Sequence, residues 1–256
     1  MKRVIRWTLN HISRSTLHRI VGLVTPLLSM AYIGRRRCCP VCGGRWRRFL
    51  PYGYVEQRGE ALCPRCLSLE RHRMIWLWLE RNTDLLTTLP TLLHIAPEPS
   101  LRRHFRRAYG TTKRYITADL ESPWADLHFD VQQIPLSDNS VDVVICNHLL
   151  EHVEDDRLAM RELHRIMRSG GWGIMLVPED RSRATTFEDN SITDAEERTR
   201  IFGQYDHRRI YGRDYDDRLR DAGFVVERMA FERSLTAEER KCYCVGGDDL
   251  VIVRKA

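Results

Sequence analysis

From residue 90 onward the chain keeps returning to one pattern, a short apolar run followed by an amphipathic stretch. The runs are Thr91 to Ala96, Arg114 to Ala118, Val141 to Asn147, Trp172 to Val177 and Phe224 to Ala230, and LVIVRK closes the chain after a GGDD turn. Each has the length of a buried strand. Between the third and fourth lies EDDRLAMRELHRIMRSGG, where Ala159, Leu163, Ile166 and Met167 make one apolar face. Acidic residues crowd its first turn, where helix amides favour negative charge, and Gly170-Gly171 is expected to end it. A second helix is expected in RDYDDRLRDAG, ahead of the fifth run. Strands alternating with helices predict an α/β fold with a doubly wound parallel sheet, and ligands over the carboxyl ends of its strands.

Upstream, the cysteines impose a second constraint. CPVCGG and CPRCLS give the pairs Cys39, Cys42 and Cys63, Cys66, with twenty residues between them. Two such knuckles can close a tetrahedral four-thiolate shell, which suits a structural Zn2+ ion and leaves no open position for catalysis. Two reducible disulfides are the alternative, and His72 is a weaker ligand candidate. WRRFLPYGYVEQRGEAL between the pairs reads as a hairpin, turning at Pro51-Tyr52-Gly53 or at Arg58-Gly59. The helix expected from LSLERHRMIWLWLERNT has an unbroken apolar centre, which predicts that it cements the small module to the sheet domain.

Charge divides the chain unevenly. Eleven of the 41 basic residues lie in the first 48 with no acidic residue among them, which leaves 30 basic against 35 acidic, a balance of −5. A basic arm of this kind suits a polyanionic neighbour, either an anionic membrane surface met through residues 1–37 or RNA, or else is merely solvated. The apolar segment Ile20 to Ile33 is too short to span a bilayer, which takes about 20 residues. It reads as an interfacial segment, as packing against the main domain, or, less well, as part of an export signal.

The block FDVQQIPLSDNSVDVVICNHLLEHVEDDRLAMRELHRIMRSGGWGIMLVP resembles the centre of class I S-adenosylmethionine-dependent methyltransferases of the type 11 kind. The order of its parts carries the likeness: an acidic residue, an "lP" turn, "D-x-S-h-D-h-V" and "LEH". The resemblance runs from about Leu92 to the C-terminus and implies a Rossmann-like methyltransferase sheet. It also implies that S-adenosylmethionine is the cofactor. Asp119, with Leu120 beside it, matches the carboxylate that holds the ribose hydroxyls, and Asp130 with Val131 matches the adenine end. Asn147 and His148 fall where methyl group and acceptor meet in that family, and Glu151 and His152 follow on the next turn.

LLHIAPEPS departs from the pattern. Where the family has an acidic residue and Gly-x-Gly-x-Gly, this chain has His94, then Ala96, Glu98 and Ser100. Alanine and the prolines Pro97 and Pro99 disfavour positive φ, which predicts a differently shaped turn. Glu98 is the carboxylate available there for the cofactor's ammonium group, and His94 and Ala96 are its companions in the candidate cofactor site. Residues 180–212 form a long insertion of the sort that builds substrate pockets. In it Tyr205, Arg208 and Tyr211 are candidate substrate contacts, and His207, oriented by Asp206, is the first candidate base. His148 and His152 are the second. Hydrogen bonds that merely pin the insertion would also account for Asp206 and His207.

The expected organisation is a basic segment over 1–36, a zinc-ribbon-like module over 37–67, a connecting helix over 68–89 and a methyltransferase domain over 90–256. The expected function is methyl transfer to a lipid, glycan or other small-molecule acceptor by a cytoplasmic protein, peripheral on the inner membrane face. RNA methylation and a non-catalytic zinc-binding interaction protein are the alternatives. Cys242 and Cys244 are read as strand residues near the final hairpin.

Overall fold

The computed structural model describes residues 25–27, 29–53, 57–247 and 249–256. The basic arm through residue 24, and with it residues 20–24 and 28 of the apolar segment, lies outside the described residues.

The small module opens with β1 (Ile33–Cys38) paired antiparallel to β2 (Arg45–Trp46), followed by β3 (Leu50–Tyr52) paired antiparallel to β4 (Arg58–Leu62). Arg58 and Gly59 are therefore inside β4, and Pro51 and Tyr52 of the other expected turn lie in β3. The two cysteine knuckles repeat one geometry. Gly43 N donates to Cys39 O and Leu67 N to Cys63 O, each four residues on, and both Gly43 and Leu67 have positive φ.

Helix α1 (Glu70–Asn82) buries His72 through Leu79 without interruption, and the short α2 (Leu85–Thr88) follows. The apolar centre of α1 is wedged between the module and the sheet. Trp76 packs on Phe105 with ring centroids 5.9 Å apart, and Trp78 meets Trp172 edge-on at 5.4 Å. Arg73, fully buried, donates to Ala61 O and Ser68 O in the module and to Tyr243 O and Cys244 O near the C-terminus.

The sheet domain then runs β5 (Leu92–Ile95), α3 (Pro99–Tyr109), β6 (Tyr115–Asp119), β7 (Leu127–His128), β8 (Val141–Asn147), α4 (Asp156–Ile166) and β9 (Met167–Leu176). After it come β10 (Phe187–Glu188), α5 (Ala195–Phe202), β11 (Arg209–Ile210), α6 (Tyr215–Asp221), β12 (Val225–Met229), α7 (Ala237–Tyr243) and β13 (Leu250–Arg254). Seven strands form the main sheet in the order β12-β13-β9-β8-β5-β6-β7. β13 runs antiparallel to both its neighbours, and the other strand pairs are parallel. The expected doubly wound, Rossmann-like sheet with a small four-cysteine module is the fold of the chain.

The direction of winding reverses between β5 and β8, where a crevice opens beyond the strands' carboxyl ends. β8 earns its central place through Val141, Val143, Val144, Ile145 and Cys146, all buried. Two local expectations change. α4 stops at Ile166, and Met167 already pairs with Val141; Gly170, with φ of 79°, bends the chain inside β9 instead of ending the helix. Cys242 lies in α7 and Cys244 caps it, so they do not alternate along a strand; the Thr236–Glu239 capping box sets that helix start.

Candidate functional site

In the module, Cys39, Cys42, Cys63 and Cys66 converge, with all four sulfurs within 4.8 Å of one another. Cys39 Sγ is 3.6 Å from Cys66 Sγ, Cys42 Sγ is 3.8 Å from Cys63 Sγ, and the Ser68 hydroxyl touches Cys39 and Cys66 at 3.2 Å. All four are free thiols rather than disulfides. The donor set and its tetrahedral closeness suit Zn2+. His72 is not part of it. Its Nδ1 accepts from Leu69 N and faces Ser100 Oγ, and its Nε2 lies 3.9 Å from Glu98.

At the switch point the chain leaves β5 through Ala96, whose φ of 46° is the left-handed conformation that glycine usually supplies. The turn expected to avoid positive φ thus adopts it. Strand pairing forces the choice, because Ala96 N still donates to Ala118 O at 2.8 Å. Glu98 then caps α3, whose first residue is Pro99. Its carboxylate faces back over the strand ends. Oε2 is 2.6 Å from His94 Nε2, and Oε1 accepts from Asn147 Nδ2 at 3.2 Å. Burial pushes the Glu98 carboxyl upward, but the hydrogen bond and charge of His94 outweigh it and hold the group well below the usual carboxylate range. His94 is wholly buried and its Nδ1 faces Tyr115 Oη at 3.0 Å. It therefore positions Glu98 and has no surface of its own for a cofactor.

Asp119 ends β6 and forms an Asx turn in which Oδ1 accepts from Glu121 N and Ser122 N. Among the described residues no donor meets Oδ2, so the group suits the paired hydroxyls of a ribose. Leu120 beside it is exposed and Val131 is buried; Asp130 Oδ1 accepts from Gln132 N. These residues fit an S-adenosylmethionine ribose and adenine. The methionine end differs from the family pattern, with Ala96 and Glu98 in place of glycines.

β8 delivers Asn147 and then His148, which has φ of 51°. Asn147 Oδ1 accepts from Leu176 N, and its amide reaches Glu98. Glu151 is 1% exposed, and its Oε2 has no hydrogen-bond partner. Its Oε1 lies 3.4 Å from His148 Nδ1 and 4.0 Å from His152 Nε2. The insertion closes over this turn. Asp206 Oδ2 stands 3.4 Å from His152 Nδ1, so Asp206 orients His152 and not His207. His207 meets the His152 ring edge-on at 4.7 Å, and burial lowers its pKa.

The three expected substrate contacts separate. Tyr205 is exposed and Arg208 half-buried, with its Nε donating to His152 O. Tyr211 is wholly buried, its hydroxyl donating to Asp156 Oδ2 at 2.8 Å with Leu150 O 3.1 Å away, which makes it an anchor and leaves it no pocket surface. Arg209, fully buried, completes the anchor by donating to Leu150 O, Val153 O, Glu154 O and Glu188. Sequence reading passed over Arg209 and undervalued Glu151; the "LEH" string was the available signal for the second.

Residues 84–175 match the family model described as a methyltransferase domain. A curated relative, an uncharacterized 37.1 kDa protein in a transposon of Streptomyces fradiae, is 30% identical over 97 residues. Those residues are 38% of this chain and 28% of the relative, so the match spans little more than a quarter of the relative's length. Among solved structures, the chain is similar to an S-adenosylmethionine-dependent methyltransferase from Mesorhizobium loti, at 13% identity and a TM-score of 0.46 over 70% of this chain and 96% of that one. It is also similar to geranyl diphosphate C-methyltransferase from Streptomyces coelicolor A3(2), at 14% identity and 0.44 over 72% and 78%. Among the described residues no helix is long and apolar enough to cross a membrane.

Proposed function

We propose that the class I S-adenosylmethionine-dependent methyltransferase domain carried by this chain methylates an acceptor held beneath the 180–212 insertion. The observation that carries this reading is the meeting of Glu98 and Asn147 at the switch point, with Asp119 at the end of the next strand. Asp119 Oδ2 would accept from the ribose hydroxyls, Asp130 and Val131 would bound the adenine, and Glu98 would face the ammonium group through the remaining lone pairs of its Oε1. When bound, the cofactor supplies an activated methyl group on a sulfonium. The chain's task is then positioning and the management of a proton. His148 follows Asn147 directly and has Glu151 behind its Nδ1, so a hydroxyl or nitrogen acceptor would leave its proton on His148 Nε2.

Calorimetric titration with S-adenosylmethionine tests the reading. Wild-type binding, weakened at least tenfold in Glu98→Gln and in Asp119→Asn, is the expected result. A wild-type protein that does not bind would overturn it and favour the non-catalytic alternative.

A lipid, glycan or other small molecule suits an acceptor space closed by the insertion. An RNA acceptor is the second reading. A cleft of the module lined by Ala31, Tyr32, Arg36, Arg47, Arg48 and Glu60 favours it, three arginines standing against one carboxylate and the Arg48 guanidinium lying 5.8 Å from the Tyr32 ring centre. Copurification with RNA that salt abolishes would support it, and a nucleic-acid-free protein at low salt would count against it.

A further inference from the structure

Where β8 gives way to α4, three side chains from two distant parts of the chain turn toward one point. Glu151 and His152 come from the turn after β8, and His207 from the insertion. One ligand atom from each lies within 4.8 Å of the other two. We infer that Glu151, His152 and His207 form a second metal site, separate from the four cysteines, that takes a first-row divalent ion such as Zn2+.

The buried carboxylate gives the first reason. Glu151 is 1% exposed, and its Oε2 has no hydrogen-bond partner. An orphaned carboxylate oxygen in a dry setting is costly, and a cation removes the cost. Its other oxygen faces the two neighbouring imidazoles, at 3.4 Å from His148 Nδ1 and 4.0 Å from His152 Nε2.

The second reason is the arrangement behind His152. Its Nδ1 lies 3.3 Å from Asp206 O and 3.4 Å from Asp206 Oδ2, both acceptors. The ring proton is thereby held at Nδ1, and the lone pair is left on Nε2, on the Glu151 side. A metal-binding histidine characteristically has an acceptor at its other nitrogen in this way. Gln204 Nε2 in turn donates to Asp206 Oδ1 at 2.8 Å, which fixes the carboxylate behind the ring.

Two imidazoles and one carboxylate, with further positions open, are the donors of catalytic zinc and of open divalent iron sites. Metal–ligand bonds of about 2.0–2.2 Å would bring the three atoms to roughly 3.4 Å from one another. His152 and His207, both partly exposed, can close that gap by side-chain rotation. An ion there would tie the insertion to the end of β8. Its open positions would take an oxygen-bearing acceptor and lower that oxygen's pKa beside His148. This last role rests on the methyltransferase reading; occupancy of the site does not.

The test counts zinc in the purified full-length protein after equilibrium dialysis against buffered Zn2+, without S-adenosylmethionine. Two ions per chain are expected, falling to one in His152→Ala, His207→Ala and Glu151→Gln. Near-ultraviolet circular dichroism checks that each variant stays folded, and Cys42→Ser should lose the other ion. One ion in the wild type, or an unchanged count in the three variants, would overturn the inference. S-adenosylmethionine affinity, measured separately on the same proteins, fails only if the cofactor reading fails.

Discussion

Glu98 Oε2 and His94 Nε2 stand 2.6 Å apart across the turn that ends β5, so the carboxylate at the mouth of the crevice is held from inside the sheet. Glu98→Ala would leave the imidazole buried and short of a partner. A loss of about 1–3 kcal/mol is expected, read as a lower urea midpoint. An unchanged midpoint would show that the pair contributes nothing to the fold.

His72 makes stability depend on pH. It is buried, and burial pushes its pKa down to about 3 against the opposing pull of Glu98. In the unfolded chain the ring titrates near 6.5. Between those values the unfolded chain binds a proton that the folded chain refuses. Stability is therefore full above about pH 6.5 and falls on acidification, by up to about 1.4 kcal/mol per pH unit from this group. Urea midpoints from pH 7 to pH 5 should fall more steeply in the wild type than in His72→Gln. Equal slopes would refute the assignment.

Ala96 invites a stabilising change. At φ of 46° its Cβ crowds the backbone, and glycine would remove that strain at some cost in unfolded-state entropy. Ala96→Gly should gain about 0.5–1 kcal/mol, seen as a higher melting temperature. Ala96→Val, β-branched, should melt earlier than the wild type.

Arg209 pins the insertion. Arg209→Met would strip donors from three carbonyls and leave Glu188 and Asp156 less compensated. A destabilisation of about 3–5 kcal/mol follows for a buried charge network broken on one side. Proteolysis within 180–212 should quicken before the rest of the chain is cut, and uniform digestion would argue against a pinned insertion.

Much of this architecture could be read from residue pattern alone. β5, β8 and β12 lie inside the apolar runs, within two residues at each end, and β6 is displaced from its run by one residue. Leu127–His128 escaped because two residues cannot show a period. The start of β9 was hidden because Met167, buried like the helix residues before it, carries no mark of the change from helix to strand. The cysteine cluster was legible because ligand type and spacing suffice for it. The crevice was less so. Ala96 takes a conformation its side chain resists, since strand pairing on both sides of β5 outweighs local preference. The link from Asp206 to His152 spans 54 residues, and adjacency in sequence pointed to His207 instead.

The four carbonyls gathered by Arg73 come from residues as far apart as Ala61 and Cys244. Helix α1, which carries Arg73, is thus a clasp that joins the cysteine module to the C-terminal part of the fold. A chain begun at residue 90 would lose the donor for Tyr243 and Cys244 and the cover that Trp78 gives to Trp172 and Met229. With Zn2+ proposed at the four cysteines, its removal by a chelator is for the same reason expected to loosen the far edge of the sheet, and hydrogen exchange in β12 and β13 would register it.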